Sequence, residues 1–320
     1  MKKMWPLWLM SLLAVFVLAA CGTATDKPKV DATPQEDVAS QKDFPLTITD
    51  AVGNEITLEK APETIVSMQS SNTEILFALG LNTEVIAVSD YDNYPAEALE
   101  KEKIGGQQFD VEKIVAMNPD IVFAHEMGLS TGEEGLQQIR DAGIPVFVVK
   151  NAKDFEETYA TIVTIGQATG KSEEAEKIIA NMKEKVEEVT SKLASVDKKK
   201  TVFVETSPAP TIYTPGNNTF MNEILNMVGA KNISADQEDW FMMSPEEIVS
   251  RNPEVIIVMY SYIDTAVEDV YKRDGFDSIT AIKNQAVVQV DENKTSRTGP
   301  RLAEGLEEVA KAIYPEAFGE

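Results

Sequence analysis

One cysteine in 320 residues excludes a disulfide within the chain and any cysteine-based zinc cluster. One histidine excludes the His-rich sites that hold zinc or copper. Basic residues are also few: 29 Lys and Arg face 53 Asp and Glu, for a formal charge of −24. Phosphate binding needs a concentrated basic surface, so nucleic acid is not an expected partner. Aromatics make up only 7% of the chain, with three Trp. A P-loop, a dinucleotide glycine fingerprint and a nucleophile elbow are all missing. Metalloenzyme and thiol-enzyme chemistry are therefore disfavoured, and no catalytic residue, resident cofactor or metal site is expected. What remains is a chain with 43% apolar residues, long enough for two domains.

The chain opens with Lys2 and Lys3, followed by an uncharged run from Trp5 to Ala20. That run is shorter than the roughly 20 residues a spanning helix needs and suits the apolar core of an export signal. It ends Leu18-Ala19-Ala20-Cys21, which resembles a bacterial lipobox, where a diacylglycerol joins the cysteine and the signal (1–20) is cut just before it. The alternative is an uncleaved anchor with an incidental cysteine. Loss of Lys2 and Lys3 leaves a charge of −26. Residues 21–43 are polar and Pro-containing, and read as a flexible tether behind a lipidated Cys21. The expected location is extracytoplasmic, with the lipid as the contact to the cell membrane.

From residue 44 onward, a hairpin over 44–58 with a turn at Gly53-Asn54 precedes short β-branched runs that alternate with helical stretches. That pattern predicts an α/β fold with parallel sheets and crossover helices. Strands are expected at Thr64–Gln69, Glu84–Ser89, Asp120–His125 and Pro145–Lys150, then at Thr201–Thr206, Lys231–Ala235, Glu254–Met259 and Ala286–Asp291. Two signatures recur in the same order. Glu74-Ile75-Leu76 with Gly80 matches Glu223-Ile224-Leu225 with Gly229, each a helix closed by glycine. Glu112 lies seven residues before Pro119, and Glu246 seven before Pro253, each followed by a strand. The chain thus reads as two similar lobes, 44–170 and 198–320, joined by a connecting helix over 171–197. The apolar positions Ala175, Ile178, Ile179, Met182, Val186, Val189, Leu193 and Val196 give that helix one buried stripe, and Ser172 is its expected N-cap.

Ligands of parallel α/β sheets bind beyond the carboxyl ends of the strands. In the first lobe those positions hold Asp90, Tyr91, Asp92, Tyr94, His125, Glu126, Met127 and Asn151. In the second they hold Tyr213, Trp240, Tyr260, Tyr262, Lys294 and Arg297. Aromatic side chains there suit a large flat ligand. Met127 and Met259 read as packing residues. His125 and Glu126 could serve a surface enzyme as acid and base, but neighbours on a strand point to opposite faces. A ligand-free adhesin or signalling partner is a third class.

The lipobox, the tether, the twin lobes, the connecting helix, the Ser71–Gly80 stretch and Arg297-Thr-Gly-Pro300-Arg301 together resemble the substrate-binding lipoproteins of ABC importers. The nearest group is the rigid-helix class that serves vitamin B12, ferric siderophores and haem, with vitamin B12 binders closest in motif. The resemblance implies a monomer with a ligand cleft between the lobes. It delivers its ligand to a permease dimer with ATPase subunits. Tyr91, Tyr213 and Trp240 then fall where those proteins have pocket aromatics, while His125 stands where a Trp is expected and leaves haem open. Arg297 is a further ligand-binding candidate. Glu112 and Glu246 fall where one surface Glu per lobe pairs with permease arginines. Anionic ferric siderophores need several converging cations. The strand ends offer Arg297, Arg301 and Lys294 against Asp90, Asp92 and Glu126, which favours a near-neutral corrinoid, cobalamin.

Overall fold

The computed structural model describes residues 44–319; the expected export signal (1–20), the expected lipidation site Cys21 and the expected tether lie outside the described residues. The hairpin is β1 (Leu46–Thr49) with β2 (Glu55–Leu58), antiparallel. Its turn is organised by Asp50, whose Oδ1 accepts from Val52 N at 3.0 Å and from Asn54 N at 2.8 Å.

The first lobe contains β3 (Ile65–Ser67), α1 (Ser70–Ala78), β4 (Val85–Val88), β5 (Glu102–Lys103), α2 (Val111–Met117) and β6 (Ile121–His125). It continues with α3 (Leu129–Asp141), β7 (Val146–Val149) and α4 (Phe155–Ala168). The connector is α5 (Ser172–Leu193). The second lobe runs β8 (Thr201–Glu205), β9 (Tyr213–Pro215), α6 (Phe220–Met227), β10 (Lys231–Asn232), β11 (Trp240–Met242), α7 (Pro245–Arg251) and β12 (Val255–Val258). It ends with α8 (Ala266–Tyr271), α9 (Thr280–Lys283), β13 (Val287–Gln289), α10 (Glu292–Ser296) and α11 (Leu302–Ile313).

The sheets are β5-β4-β3-β6-β7 and β10-β8-β12-β13, with every neighbouring pair parallel. Apart from the edge strand β5, each lobe places its strands in the order second, first, third, fourth. Both sheets are covered on both faces, which is why their strands read as unbroken Val/Ile/Phe runs. One core cluster joins the inner faces of both lobes to Ala175, Met182, Val189 and Leu193 of α5. Phe155 of α4 meets Phe220 of α6 with ring centroids 5.5 Å apart.

The repeat extends to atomic detail. Asp110 caps α2 by accepting from Lys113 N, and Ser244 caps α7 by accepting from Glu247 N. Both helices end on a left-handed asparagine, Asn118 (φ 45°) and Asn252 (φ 46°). After the following proline, Asp120 accepts from Thr64 N at 2.9 Å and Glu254 accepts from Thr201 N at 3.0 Å, while Thr64 and Thr201 hydroxyls accept from the Asp120 and Glu254 amides. Each acid clasps its helix–turn–strand unit to the first strand of its own lobe. Gly80 and Gly229 (φ 81° and 71°) close α1 and α6 as the sequence implies.

All eight expected strands form, one of them shortened, and two further differences lie elsewhere. The strand expected over Lys231–Ala235 stops at Asn232, because the Asn232 side chain bonds Pro215 O, Asn222 Oδ1 and Ser234 N and turns the chain. Ser172 is not the N-cap of α5. Lys171 N bonds Gly166 O at 2.7 Å to close α4, and Lys171 O already accepts from Ala175 N, so the helix starts one residue early. Finally, β9 and β11 form an antiparallel ribbon, with Tyr213 opposite Met242 and Trp240 opposite Pro215.

Candidate functional site

In a sheet ordered second, first, third, fourth, the crossovers after the first and third strands leave to opposite sides and open a crevice between their carboxyl ends. In the first lobe that point lies between β3 and β6, and a cavity of about 310 Å³ occupies it. Met68 and Gln69 line it after β3, Ala124 and His125 at the end of β6, with Tyr91 and Phe109 beside them.

Local chemistry builds this cavity. The buried polar start of α1 ties the strand ends together: Asn72 Nδ2 donates to Ala124 O at 3.0 Å and Thr73 Oγ1 donates to Ser67 Oγ at 2.8 Å. Lys103 Nζ donates to Ser89 O, Asp92 O and Ala98 O and so shapes the loop that carries Tyr91. Ser89 Oγ donates to the buried Asp92 at 2.5 Å in the same loop. A Cβ at Gly106 would lie 2.7 Å from Tyr91 Oη, so glycine there lets the ring lie flat on the backbone. Gly132 and Gly135 do the same for Phe109, whose ring carbons lie 2.9 Å from a Cβ built at either site. Two glycines inside α3 are costly to a helix, and a ring filling the space they leave explains them.

His125 is 6% exposed. Its Nδ1 accepts from Met127 N at 3.2 Å. Burial pushes its pKa down to about 4, against the raising field of Glu126, so the ring is neutral. Glu126 turns away and accepts from Asn151 N at 2.6 Å. Met127 is not a packing residue: it is 65% exposed at the cavity.

In the second lobe the ribbon register puts Tyr213, Trp240 and Met242 on one face, and all three are exposed. Thr214 points the other way, fully buried, with its hydroxyl 3.1 Å from Ser234 Oγ. The crevice between β8 and β12 is filled by the protein itself. Tyr260 Oη donates to the buried Glu205 at 2.8 Å, and Arg273 meets the same carboxylate through both Nη atoms at 2.6 and 2.8 Å. Tyr262, exposed, stacks on Tyr260 with centroids 5.3 Å apart.

Arg297 joins the lobes. Its Nη1 donates to Glu74 Oε1 at 2.8 Å and its Nη2 to Tyr91 O at 3.4 Å. Arg301 meets the same Glu74 and stacks over the Tyr94 ring at 3.7 Å. Lys294 is paired with Glu304 and Glu308. The three cations expected near the ligand are thus all engaged by carboxylates. Tyr91 and His125 share one cavity, Tyr213 and Trp240 share one ribbon face, and Arg297 lies between the lobes. Phe109 and Met242 were not foreseen; the glycine pair of α3 is the one sequence signal for Phe109.

Glu112 and Glu246 occupy the first turns of α2 and α7, both exposed. A larger groove of about 650 Å³ lies away from the strand ends, between α5 and α11. Its lysines and glutamates pair with each other, as Lys185 does with Glu307 at 2.6 Å.

The family described as periplasmic binding protein matches residues 65–294. The ABC transporter substrate-binding lipoprotein YvrC of Bacillus subtilis is 42% identical over the full length of both chains. A cobalamin-binding protein of Halobacterium salinarum is 29% identical, over 94% of this chain and 82% of its own. A crystal structure described as a possible iron-binding, periplasmic solute-binding protein of Staphylococcus epidermidis superposes with a TM-score of 0.73 at 35% identity, over 80% of this chain and 100% of the other. Twin parallel sheets, a crevice at their strand ends and these relatives lead to one assignment: the chain belongs to the periplasmic binding protein family and is the substrate-binding protein of an ABC transporter, not an enzyme.

Proposed function

We propose that the protein is held outside the cytoplasm by a lipid on Cys21 and carries cobalamin to an ABC permease dimer with its ATPase subunits, the ligand lying between lobes 44–170 and 198–320. The observation that carries the ligand class is the charge of the site. The cavity lining holds no Lys, Arg, Asp or Glu, and Arg297 and Arg301 are held by Glu74. An anionic siderophore or the propionates of haem need free cations there; a corrinoid edged with neutral amides does not. The first-lobe cavity is too small for a whole corrinoid and grips one edge of it. Tyr213, Trp240 and Met242 cover a face of the ring from the other lobe. Glu112 and Glu246, one per lobe and free of ion pairs among the described residues, dock on permease arginines. The name of the Halobacterium relative supports the same ligand.

An iron-bearing ligand is the second reading, favoured by the description of the Staphylococcus structure. The deciding experiment is mass spectrometry of what copurifies with protein from its native membrane, followed by equilibrium dialysis against cyanocobalamin, haemin and a ferric hydroxamate. Unmodified cobalamin, retained at micromolar concentration, is the expected result. Retention of only haemin or the hydroxamate replaces the first reading by the second.

A further inference from the structure

His125 is a deeply buried residue with one ring nitrogen, Nε2, that has no hydrogen-bond partner among the described residues and is left to the cavity. The residue is 94% buried, given its exposure of 6%. A neutral imidazole has one N–H and one lone pair on nitrogen. Met127 N–H points at Nδ1 at 3.2 Å, so Nδ1 is the acceptor and the proton sits on Nε2. Among the described residues nothing pairs with Nε2, and His125 lines the cavity. The other side chains of the lining with polar atoms that hydrogen-bond are Gln69, Tyr91, Gln107, Ser130 and Thr131.

A metal ligand would need the reverse arrangement. For Nε2 to offer a lone pair to iron or cobalt, the proton must move to Nδ1, where it would face the Met127 N–H. The short turn after β6, in which Glu126 is fixed on Asn151 N, holds that amide in place. The backbone thus selects the tautomer that donates.

Resting on the cobalamin reading above, we propose that His125 is a specificity-determining residue. Its Nε2–H donates to the carbonyl oxygen of a peripheral amide of the corrinoid, and it does not coordinate the metal. Carboxylate-edged or catecholate ligands gain little from a single neutral donor. An amide edge is matched by it and by the neighbouring glutamine and hydroxyl side chains.

The test uses the full folded chain with cyanocobalamin and aquocobalamin. Replacing the donor in His125→Leu should weaken cyanocobalamin binding about five- to tenfold, the range for one buried hydrogen bond. His125→Gln, which keeps an N–H near the position of Nε2, should stay within about threefold. The wild-type spectrum of bound aquocobalamin should keep its water-ligated form, a readout that needs no variant. Equal affinity of His125→Leu and wild type overturns the inference, as does loss in His125→Gln as large as in His125→Leu. A nitrogen-ligated aquocobalamin spectrum that disappears in His125→Gln overturns it too. Wild-type protein that binds neither cobalamin overturns the ligand reading and this inference together, and is recognised because no variant is needed to see it.

Discussion

Glu74 and Arg301, 227 positions apart in the chain, meet in a two-point pair: Arg301 Nε donates to Oε2 at 2.9 Å and Nη2 to Oε1 at 2.7 Å. Arg297 adds a third bond to the same carboxylate, whose side chain is 2% exposed. The three groups tie the lobes to each other, so an ion-pair cluster as well as α5 fixes the relative position of the lobes. Glu74→Gln leaves two mostly buried guanidinium groups without their counter-ion. Removing one partner of a buried pair costs about 3–5 kcal/mol. Urea unfolding monitored by circular dichroism should show a loss near the lower end of that range, since each arginine side chain remains 13% exposed. A midpoint within error of wild type would mean that the pair does not hold the lobes.

The exposed ribbon face offers a direct optical test. Trp5 and Trp8 lie in the proposed export signal, whose removal would leave Trp240 as the single Trp. With Trp240 48% exposed, its emission should be red-shifted in the free protein and quenched saturably by cyanocobalamin. Trp240→Leu should weaken binding about tenfold, the effect of losing one large aromatic contact. Dialysis-proven binding with no change in emission would remove Trp240 from the site.

Much of this was legible in sequence, and the reasons are local. Val122, Phe123 and Ala124 are buried on both faces of a parallel sheet and so read as a strand by apolar content alone. Pro119 and Pro253 mark helix ends because proline cannot continue the hydrogen-bonded turn. The ribbon was not legible: Tyr213–Pro215 and Trp240–Met242 are three residues each, too short for alternation to show, and their pairing comes from the tertiary fold. Arg297 reads in sequence as a ligand-binding candidate; its pairing with Glu74 was not legible, because that partner lies 223 residues away and a charge pair leaves no periodic trace. The strand-end rule named Tyr91 and His125 among its candidates, and the fold brings these two into one cavity of the first lobe.

The docking role proposed for Glu112 and Glu246 can be tested by separating transport from binding. Each meets the positive end of its own short helix, a contact worth about 0.3–1 kcal/mol at an exposed site. Glu112→Ala with Glu246→Ala should therefore cost little stability and leave cyanocobalamin affinity within about twofold, because neither residue is at the strand ends. Cobalamin uptake by cells or by permease-containing vesicles should fall at least tenfold. Affinity falling in step with uptake would place the two glutamates in the ligand site and cancel the docking assignment.

His125 also makes a stability prediction of defined sign. Its folded pKa is about 4, whereas the unfolded ring titrates near its ordinary value of 6.5. As pH falls through 6.5 the unfolded chain takes up a proton at this position and the folded chain does not, so stability is lost between about pH 6.5 and 4 and the loss is complete below that. Between pH 7.5 and pH 5 the expected difference is about 2 kcal/mol. As the chain's one histidine, His125 is the sole imidazole contributing. Carboxylates titrating in the same window cancel when wild type is compared with His125→Gln. Urea unfolding free energies at the two pH values should therefore fall by about 2 kcal/mol more for wild type than for the variant. Equal falls would mean that the ring is protonated in the folded chain at pH 5. It would then be neither buried nor tautomer-locked as the Met127 contact requires.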